Sequence, residues 1–404
     1  VGSEMCIRDR ITTAGMFLGA LVGGIIGDKT GRRNAFILYE AIHIASMVVG
    51  AFSPNMDFLI ACRFVMGVGL GALLVTLFAG FTEYMPGRNR GTWSSRVSFI
   101  GNWSYPLCSL IAMGLTPLIS AEWNWRVQLL IPAILSLIAT ALAWRYFPES
   151  PRWLESRGRY QEAEKVMRSI EEGVIRQTGK PLPPVVIADD GKAPQAVPYS
   201  ALLTGVLLKR VILGSCVLIA MNIVQYTLIN WLPTIFMTQG INLKDSIVLN
   251  TMSMFGAPFG IFIAMLVMDK IPRKTMGVGL LILIAVLGYI YSLQTSMLLI
   301  TLIGFFLITF VYMYVCYASA VYVPEIWPTE AKLRGSGLAN AVGRISGIAA
   351  PYAVAVLLSS YGVTGVFILL GAVSIIVAIA IATIGIETKG VSVESLSIDA
   401  VANK

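Results

Sequence analysis

Runs of about twenty apolar residues, each long enough at 1.5 Å per residue to cross the hydrocarbon core of a bilayer, recur along almost the whole chain. Eleven are predicted, at roughly 11–27, 34–52, 57–82, 92–118, 126–147, 211–238, 246–268, 275–293, 297–323, 335–358 and 362–386. A segment in hydrocarbon must satisfy its backbone polar groups internally, so runs of this length predict an all-α membrane protein. Composition agrees: 13% of residues are charged and mean hydropathy is +0.76, whereas soluble domains carry about 25% charged residues. The net charge of +8 does not point to nucleic acid, because the cations sit in short loops between apolar runs rather than in a patch with exposed aromatics.

Those cations orient the chain. With the loop after the first run assigned to the cytoplasm, cytoplasmic connections and the C-terminal tail hold 24 of the 30 Lys and Arg, and external loops hold only Arg126 and Lys244. The visible N-terminus then falls outside, so one further helix is expected before the first run. An internal repeat predicts the same. Asp28–Arg33 (DKTGRR) recurs as Asp269–Lys274 (DKIPRK) at an offset of 241, and Glu83, Pro86, Arg90 and Gly91 recur as Glu325, Pro328, Arg334 and Gly335. Moving the run 211–238 back by 241 leaves the chain, so its counterpart is expected to be the missing helix. The expected organisation is a non-native segment at 1–10, which resembles translated adaptor sequence, and an N-terminal bundle at 11–147. A cytoplasmic connection follows at 148–210, then a six-helix bundle at 211–386 and a cytoplasmic tail at 387–404. Within the connection, Ala163, Val166, Met167 and Ile170 recur at helical spacing, which predicts short surface helices before a Pro- and Gly-rich linker at 178–198.

Gly24, Asp28, Lys29, Gly31, Arg32 and Arg33 fit G-x-x-x-D-[RK]-x-G-R-[RK] between the first two runs, and Arg63, Gly67, Gly69 and Gly71 fit R-x-x-x-G-x-G-x-G in the third. With Pro148–Trp153 (PESPRW), these residues resemble the major facilitator superfamily, in its sugar-porter and organic-ion branches. The resemblance covers nearly the whole chain. It implies the major facilitator fold: two pseudo-symmetric six-helix bundles, here with the first helix missing and eleven present. It also implies a gate of loop charges at the cytoplasmic ends of the spans. Gly24, Asp28, Arg32, Arg33, Glu83, Arg90, Glu149 and Arg152 would form one set, and Asp269, Arg273, Glu325 and Arg334 the other. Solvated topology anchors are the alternative. The second copy departs from the pattern, with Pro272 and Met265 where glycines stand in the first. Glycines 67, 69 and 71 read as sites of close helix packing.

Polar residues inside the runs mark the candidate site. Arg63 lies within a span, where an arginine costs about 2.5–3.5 kcal/mol and normally points into the bundle. The family places its acidic partner on the first helix. Glu40 and His43 share a helix face and are candidates for proton coupling with Arg63, or for snorkelling and packing. Arg344, followed by Pro351 in GLANAVGRISGIAAP, resembles the eleventh helix of organic-anion transporters, where an arginine favours anionic substrates; a structural charge pair is the alternative. Asn222, Gln225, Tyr226 and Asn230 fall within an arc of about 140° and are expected to face a cavity. Trp231–Phe236 (WLPTIF) follows them as in bacterial metabolite transporters. Asn250, Asn340, Tyr317, Asn102 and Trp103 are further candidate lining residues, while Tyr312, Tyr314 and Tyr322 read either as core or as interface belt.

Cofactors and metals are not expected. The chain has one histidine, no CxxC spacing, and four of its five cysteines in apolar runs. Gly173–Pro181 fails the phosphate-loop pattern, with five residues between its glycines and proline after the lysine. No nucleophile motif supports an enzyme. The expectation is a monomeric, multi-pass secondary transporter of a bacterial inner membrane. It would move a small organic metabolite, anionic and of carboxylate or sugar-acid type, by alternating access with proton symport. A sugar uniporter, an exporter or antiporter of the same fold, and a non-transporting membrane sensor are the alternatives.

Overall fold

A computed structural model describes residues 2–84, 90–115, 118–179, 199–238, 243–294, 296–327 and 331–389. The side chains of residues 2–10, 28, 78–84, 90–91, 121, 152, 156, 230, 233, 236–238, 243–244, 247 and 332–333 lie outside that description. Among the described residues the secondary structure is helical throughout. In order the helices are α1 (Gly2–Thr30), α2 (Arg32–Ala51), α3 (Met56–Tyr84), α4 (Arg90–Asn102), α5 (Ser104–Leu115), α6 (Ala121–Tyr146), α7 (Pro151–Ser156), α8 (Tyr160–Thr178) and α9 (Tyr199–Leu202). They continue as α10 (Gly205–Thr238), α11 (Leu243–Met254), α12 (Gly256–Val267), α13 (Arg273–Ser292) and α14 (Met297–Val315). A π-helical segment (Cys316–Tyr322) then leads into α15 (Val323–Glu325), and α16 (Lys332–Ile384) ends the series.

Among the described residues, eight helices are long and apolar enough to cross a membrane. The difference from the eleven expected runs has local causes. Ile11–Gly27 is an apolar stretch shorter than a full crossing. The run 92–118 is divided at Trp103 between α4 and α5, with a low-hydropathy first part, TWSSR. The runs 335–358 and 362–386 merge into the 53 residues of α16. At 1.5 Å per residue α16 would be about 80 Å long, well over two bilayer cores. It breaks at Gly362, whose φ of 64° and ψ of −160° are not helical. Both its ends lie beside one region: Gly335 packs on the Trp327 ring, and the Ile386 backbone bonds to the Tyr322 hydroxyl. The chain therefore reverses at Gly362.

Backbone contact between glycines and facing helices sets the packing. A Cβ on Gly15 would stand 2.2 Å from the Phe64 carbonyl oxygen, and one on Gly19 2.1 Å from that of Val68. At an offset of 241, a Cβ on Gly256 would stand 2.5 Å from the Phe305 oxygen and one on Gly260 2.1 Å from that of Thr309. The repeat legible in the loops is thus also present in how α1 meets α3 and α12 meets α14. Gly67 and Gly71 press on Thr12 and Met16 of α1, and Gly69 on Tyr39 and His43 of α2, the close approach expected of small residues between membrane helices.

The largest buried cluster draws on every helix from α9 to α16, around Leu213, Leu218, Tyr312, Tyr314 and Phe367. In contrast, α6 leaves Ile134, Leu135, Leu137, Ile138 and Leu142 more than half exposed, a contiguous apolar face that suits hydrocarbon rather than water. In the connection, Ser150 caps α7 by accepting from the Trp153 N–H, Pro151 fills the first turn, and α8 ends at the left-handed Gly179. Ala163 is buried against Trp153 and Leu154.

Candidate functional site

The polar residues of α10 meet α16 through two glycines that flank Arg344. A Cβ on Gly343 would lie 2.8 Å from Leu218 Cβ and 3.0 Å from Asn222 Nδ2, and one on Gly347 would lie 3.3 Å from the Tyr226 ring. This close approach brings the Arg344 guanidinium onto α10, where its Nη1 donates to the Tyr226 hydroxyl. The same nitrogen lies 4.0 Å from the Met16 sulfur of α1. One residue earlier on α10, Gln225 Nε2 donates to the Tyr105 hydroxyl of α5 at 3.4 Å. The Tyr105 ring meets Tyr312 edge-on, with centroids 5.1 Å apart at 65°. The Tyr312 hydroxyl lies near the Gln225 amide without a hydrogen bond of good geometry. Helices α1 and α5 from before the long connection and α10, α14 and α16 from after it thus converge on one group.

That group contains three of the expected lining residues: Arg344, Gln225 and Tyr226. Asn222 is buried behind Gly343, its Nδ2 donating back to the Leu218 carbonyl at 2.7 Å and its Oδ1 without a hydrogen bond among the described residues. Asn340 likewise donates to Ser336 at 2.9 Å, and Asn102 to Ser98 at 2.7 Å. Asn250 keeps a buried Oδ1 without a hydrogen-bond partner among the described residues. Trp103 stands at the α4–α5 break, edge-on to Phe99, which in turn touches Phe262 of α12. Tyr317 lies elsewhere, stacked between Tyr314 and Tyr322 with its hydroxyl against Gly277. Tyr312, Tyr314 and Tyr322 are buried core residues, not interface belt. The Asn230 side chain is outside the described residues.

The sequence left Tyr105 and Met16 unmarked. Each is one residue in an apolar run, and only the helix arrangement carries it to Arg344. Of the proton-coupling candidates, Glu40 has a buried Oε2 without a hydrogen-bond partner among the described residues, His43 Nδ1 lies 3.4 Å from the Met66 carbonyl, and Arg63 is half-buried on α3.

The charged loops form a second cluster. Glu149 Oε1 accepts the backbone N–H groups of Arg32 and Arg33 at 2.7 and 3.3 Å, capping α2 with negative charge. Gly31 permits this: its φ is 94°, and a Cβ there would stand 2.3 Å from Glu149 Oε2. Arg32 Nη1 reaches the Gly27 carbonyl at 3.0 Å. In the second copy Arg273 makes the matching bond to the Met268 carbonyl. There the capping carboxylate is Glu387, which accepts from the N–H groups of Arg273 and Lys274 at 2.8 and 3.1 Å. Burial alone would raise the Glu387 carboxyl. Backbone N–H groups of Arg273, Lys274 and Lys389, with the Arg273 charge, outweigh it and hold the carboxyl below its ordinary range.

Arg273 also donates to Glu325 through Nε and Nη2 at 3.0 and 3.2 Å and to Asp269 at 3.0 Å. Asp269 is in addition bound from the other bundle: Oδ2 accepts the Thr92 N–H at 3.0 Å and the Thr92 hydroxyl at 2.5 Å, at the start of α4. Nearby, the buried Cys316 thiol donates to Ser95 Oγ at 3.3 Å. Arg334 lies over the Tyr199 ring at 5.6 Å. A Cβ added at Gly24 would meet no atom of the described residues within 4 Å. The side chains of Asp28, Glu83, Arg90 and Arg152 are outside the described residues. Sequence reasoning missed Glu387 and Thr92. The signal for Glu387 was present, because IETKG after the last run stands where PESPRW stands after the earlier bundle.

Among the described residues no group of His, Cys, Asp and Glu could hold a metal ion. A family model described as sugar (and other) transporter matches residues 9–400. The inner membrane metabolite transport protein YdjE of Escherichia coli is 45% identical over 385 residues, covering 95% of this chain and 84% of that protein. The putative metabolite transport protein YyaJ of Bacillus subtilis is 30% identical over 361 residues, covering 88% of this chain and 78% of that protein. Among solved structures, the proton:xylose symporter XylE bound to 6-bromo-6-deoxy-D-glucose superimposes with a TM-score of 0.77 at 18% identity, covering 97% of this chain and 88% of that one. It establishes the major facilitator fold.

Proposed function

The chain belongs to the sugar (and other) transporter family, a multi-pass membrane protein of the major facilitator fold, and on that premise we propose that it carries a small organic anion through the centre of its helix bundle. The substrate class is a carboxylate or sugar acid, moved across a bacterial inner membrane by a monomer that alternates access between its two sides and takes a proton with the substrate. The observation that carries this reading is the group around Arg344, where Tyr105 and Met16 from the earlier helices meet Gln225, Tyr226 and Arg344 from the later ones. A charge at the seam of two bundles, bonded here to a neutral hydroxyl, can bind an anion while either bundle moves. Arg344 and Tyr226 remain partly exposed, so an anion can reach them.

Thr92 to Asp269 and Ser95 to Cys316 close the charged end in this reading, and their separation opens it. Glu40, His43 and Arg63 are the proposed proton-coupling groups. The arrangement as two repeated bundles, with eleven spans here, belongs to the same proposal. Its support is the 241-residue offset shared by loop motifs, by the Arg32 and Arg273 bonds, and by the glycine contacts.

Uptake of labelled carboxylates and neutral analogues into cells, with and without a protonophore, tests the reading. Accumulation should require the gradient, and Arg344→Ala should lower anion uptake at least tenfold. Accumulation that persists without a gradient removes proton symport. Unchanged anion selectivity in Arg344→Ala removes the substrate role of that residue.

A further inference from the structure

The face of α6 turned away from the bundle ends in a cation. Leu135, Ile138, Leu142 and Arg145 recur at helical spacing, and all four side chains are exposed. From Leu135 to Arg145 the helix rises about 15 Å, half of a hydrocarbon core of about 30 Å. The apolar part therefore has the length of one leaflet, with the guanidinium at headgroup depth. Trp144 and Tyr146, 68% and 73% exposed, flank it, as aromatic residues do at a membrane surface.

A second guanidinium stands at the same place. Arg33 of α2 donates from Nη2 to the carbonyl of Trp144, the residue before Arg145, and Phe36 packs on Phe147 to hold the two helix ends together, ring centroids 6.0 Å apart. Neither cation is saturated. Among the described residues the one interaction of the Arg145 side chain is with the Tyr146 ring, 6.0 Å away, and Arg33 Nε is buried without a hydrogen-bond partner, a costly state for a donor. Two negative groups lie near: the C-terminus of α6, with about half a charge, and Glu149, already engaged by the N–H groups of Arg32 and Arg33. Two guanidinium charges outweigh them, and their N–H forks match the oxygens of a phosphate.

The repeat shows that closing the helix end does not require this arrangement. With Glu387 capping α13 as Glu149 caps α2, the counterparts of Trp144, Arg145 and Tyr146 are Ala382, Thr383 and Ile384. Thr383 turns its hydroxyl back onto the Ile379 carbonyl of its own helix.

We propose that the charged-loop end of α6 binds one anionic phospholipid, its phosphate on Arg145 and Arg33 and an acyl chain along Leu142, Ile138 and Leu135. The site lies on the outer face of α6 and is independent of the substrate reading above.

Native mass spectrometry of the purified full chain in detergent, with phosphatidylglycerol or phosphatidylcholine of the same acyl chains added, tests this. One phosphatidylglycerol should be retained at least tenfold more tightly than phosphatidylcholine. Arg145→Gln should remove that preference, Arg145→Lys should keep most of it, and Arg168→Gln, at an exposed cation on α8, should leave it unchanged. Inorganic phosphate in large excess should not displace the lipid. Equal retention of the two lipids, displacement by phosphate, or a loss in Arg168→Gln as large as in Arg145→Gln would overturn the proposal.

Discussion

Removing the Glu325 carboxylate probes the charge cluster most severely. Arg273 is 3% exposed and Glu325 10%, so the pair is sealed from water and the carboxylate accepts from two guanidinium nitrogens and from Thr388 Oγ1 at 2.7 Å. In Glu325→Ala, Asp269 and the Met268 carbonyl retain one donor each, but two of the N–H contacts lose their acceptor where no solvent replaces it. Breaking a buried pair from one side costs about 3–5 kcal/mol. Replacing both partners, as in Arg273→Met with Glu325→Leu, removes the stranded charge and should fall within about 1–2 kcal/mol of the parent. Unfolding of the purified protein in mixed micelles titrated with dodecyl sulfate measures both, and Arg273→Met alone, Glu325→Leu alone and the two together close a mutant cycle. A Glu325→Ala variant within about 1 kcal/mol of the parent, or a double variant as unstable as the sum of the singles, would refute the argument.

Glu387 gives a pH prediction. Its folded carboxyl is held below the unfolded value, so its stabilisation is fully present above the unfolded carboxylate pKa and is lost as pH falls through the folded one. Glu387→Gln should flatten the acid limb of the stability profile and leave neutral-pH ion pairing of Arg273 with Glu325 intact; an unchanged acid limb contradicts the capping role. Gly31→Ala must accept a left-handed backbone and a Cβ inside the Glu149 carboxylate, costing about 1–3 kcal/mol from backbone strain alone. A thermal midpoint equal to that of the parent would show that the turn adapts freely.

The hydrophobic runs and the loop repeat were legible because both are local: twenty apolar residues have one physical use, and DKTGRR and DKIPRK can be compared letter by letter. The same offset relates the contacts of Gly15 and Gly19 to those of Gly256 and Gly260, which only the folded helices show. Less visible were the break at Trp103 and the π-helical turn at Cys316, since neither interrupts hydropathy. Gln225 and Tyr226 could be marked because a polar stripe in an apolar helix is costly without a purpose, and Arg344 because its surroundings, GLANAVGRISGIAAP, resemble a known helix. Tyr105 and Met16 carry no such cost, and their roles come from helices that meet only in the folded bundle. Tyr317 was marked by its polar hydroxyl, yet its ring is held in a tyrosine stack, which hydropathy cannot distinguish from a cavity wall.

The proposed alternating access requires α4 to part from the π-helical turn at the charged end. Ser95 Oγ and Cys316 Sγ lie 3.3 Å apart, on opposite sides of that seam. With the other cysteines changed to serine, Ser95→Cys places a second thiol opposite Cys316, and oxidation would hold the two sulfurs at about 2.05 Å. Substrate uptake should stop on oxidation and return on reduction. Undiminished uptake by protein whose disulfide is shown by mass spectrometry to be complete would contradict the account.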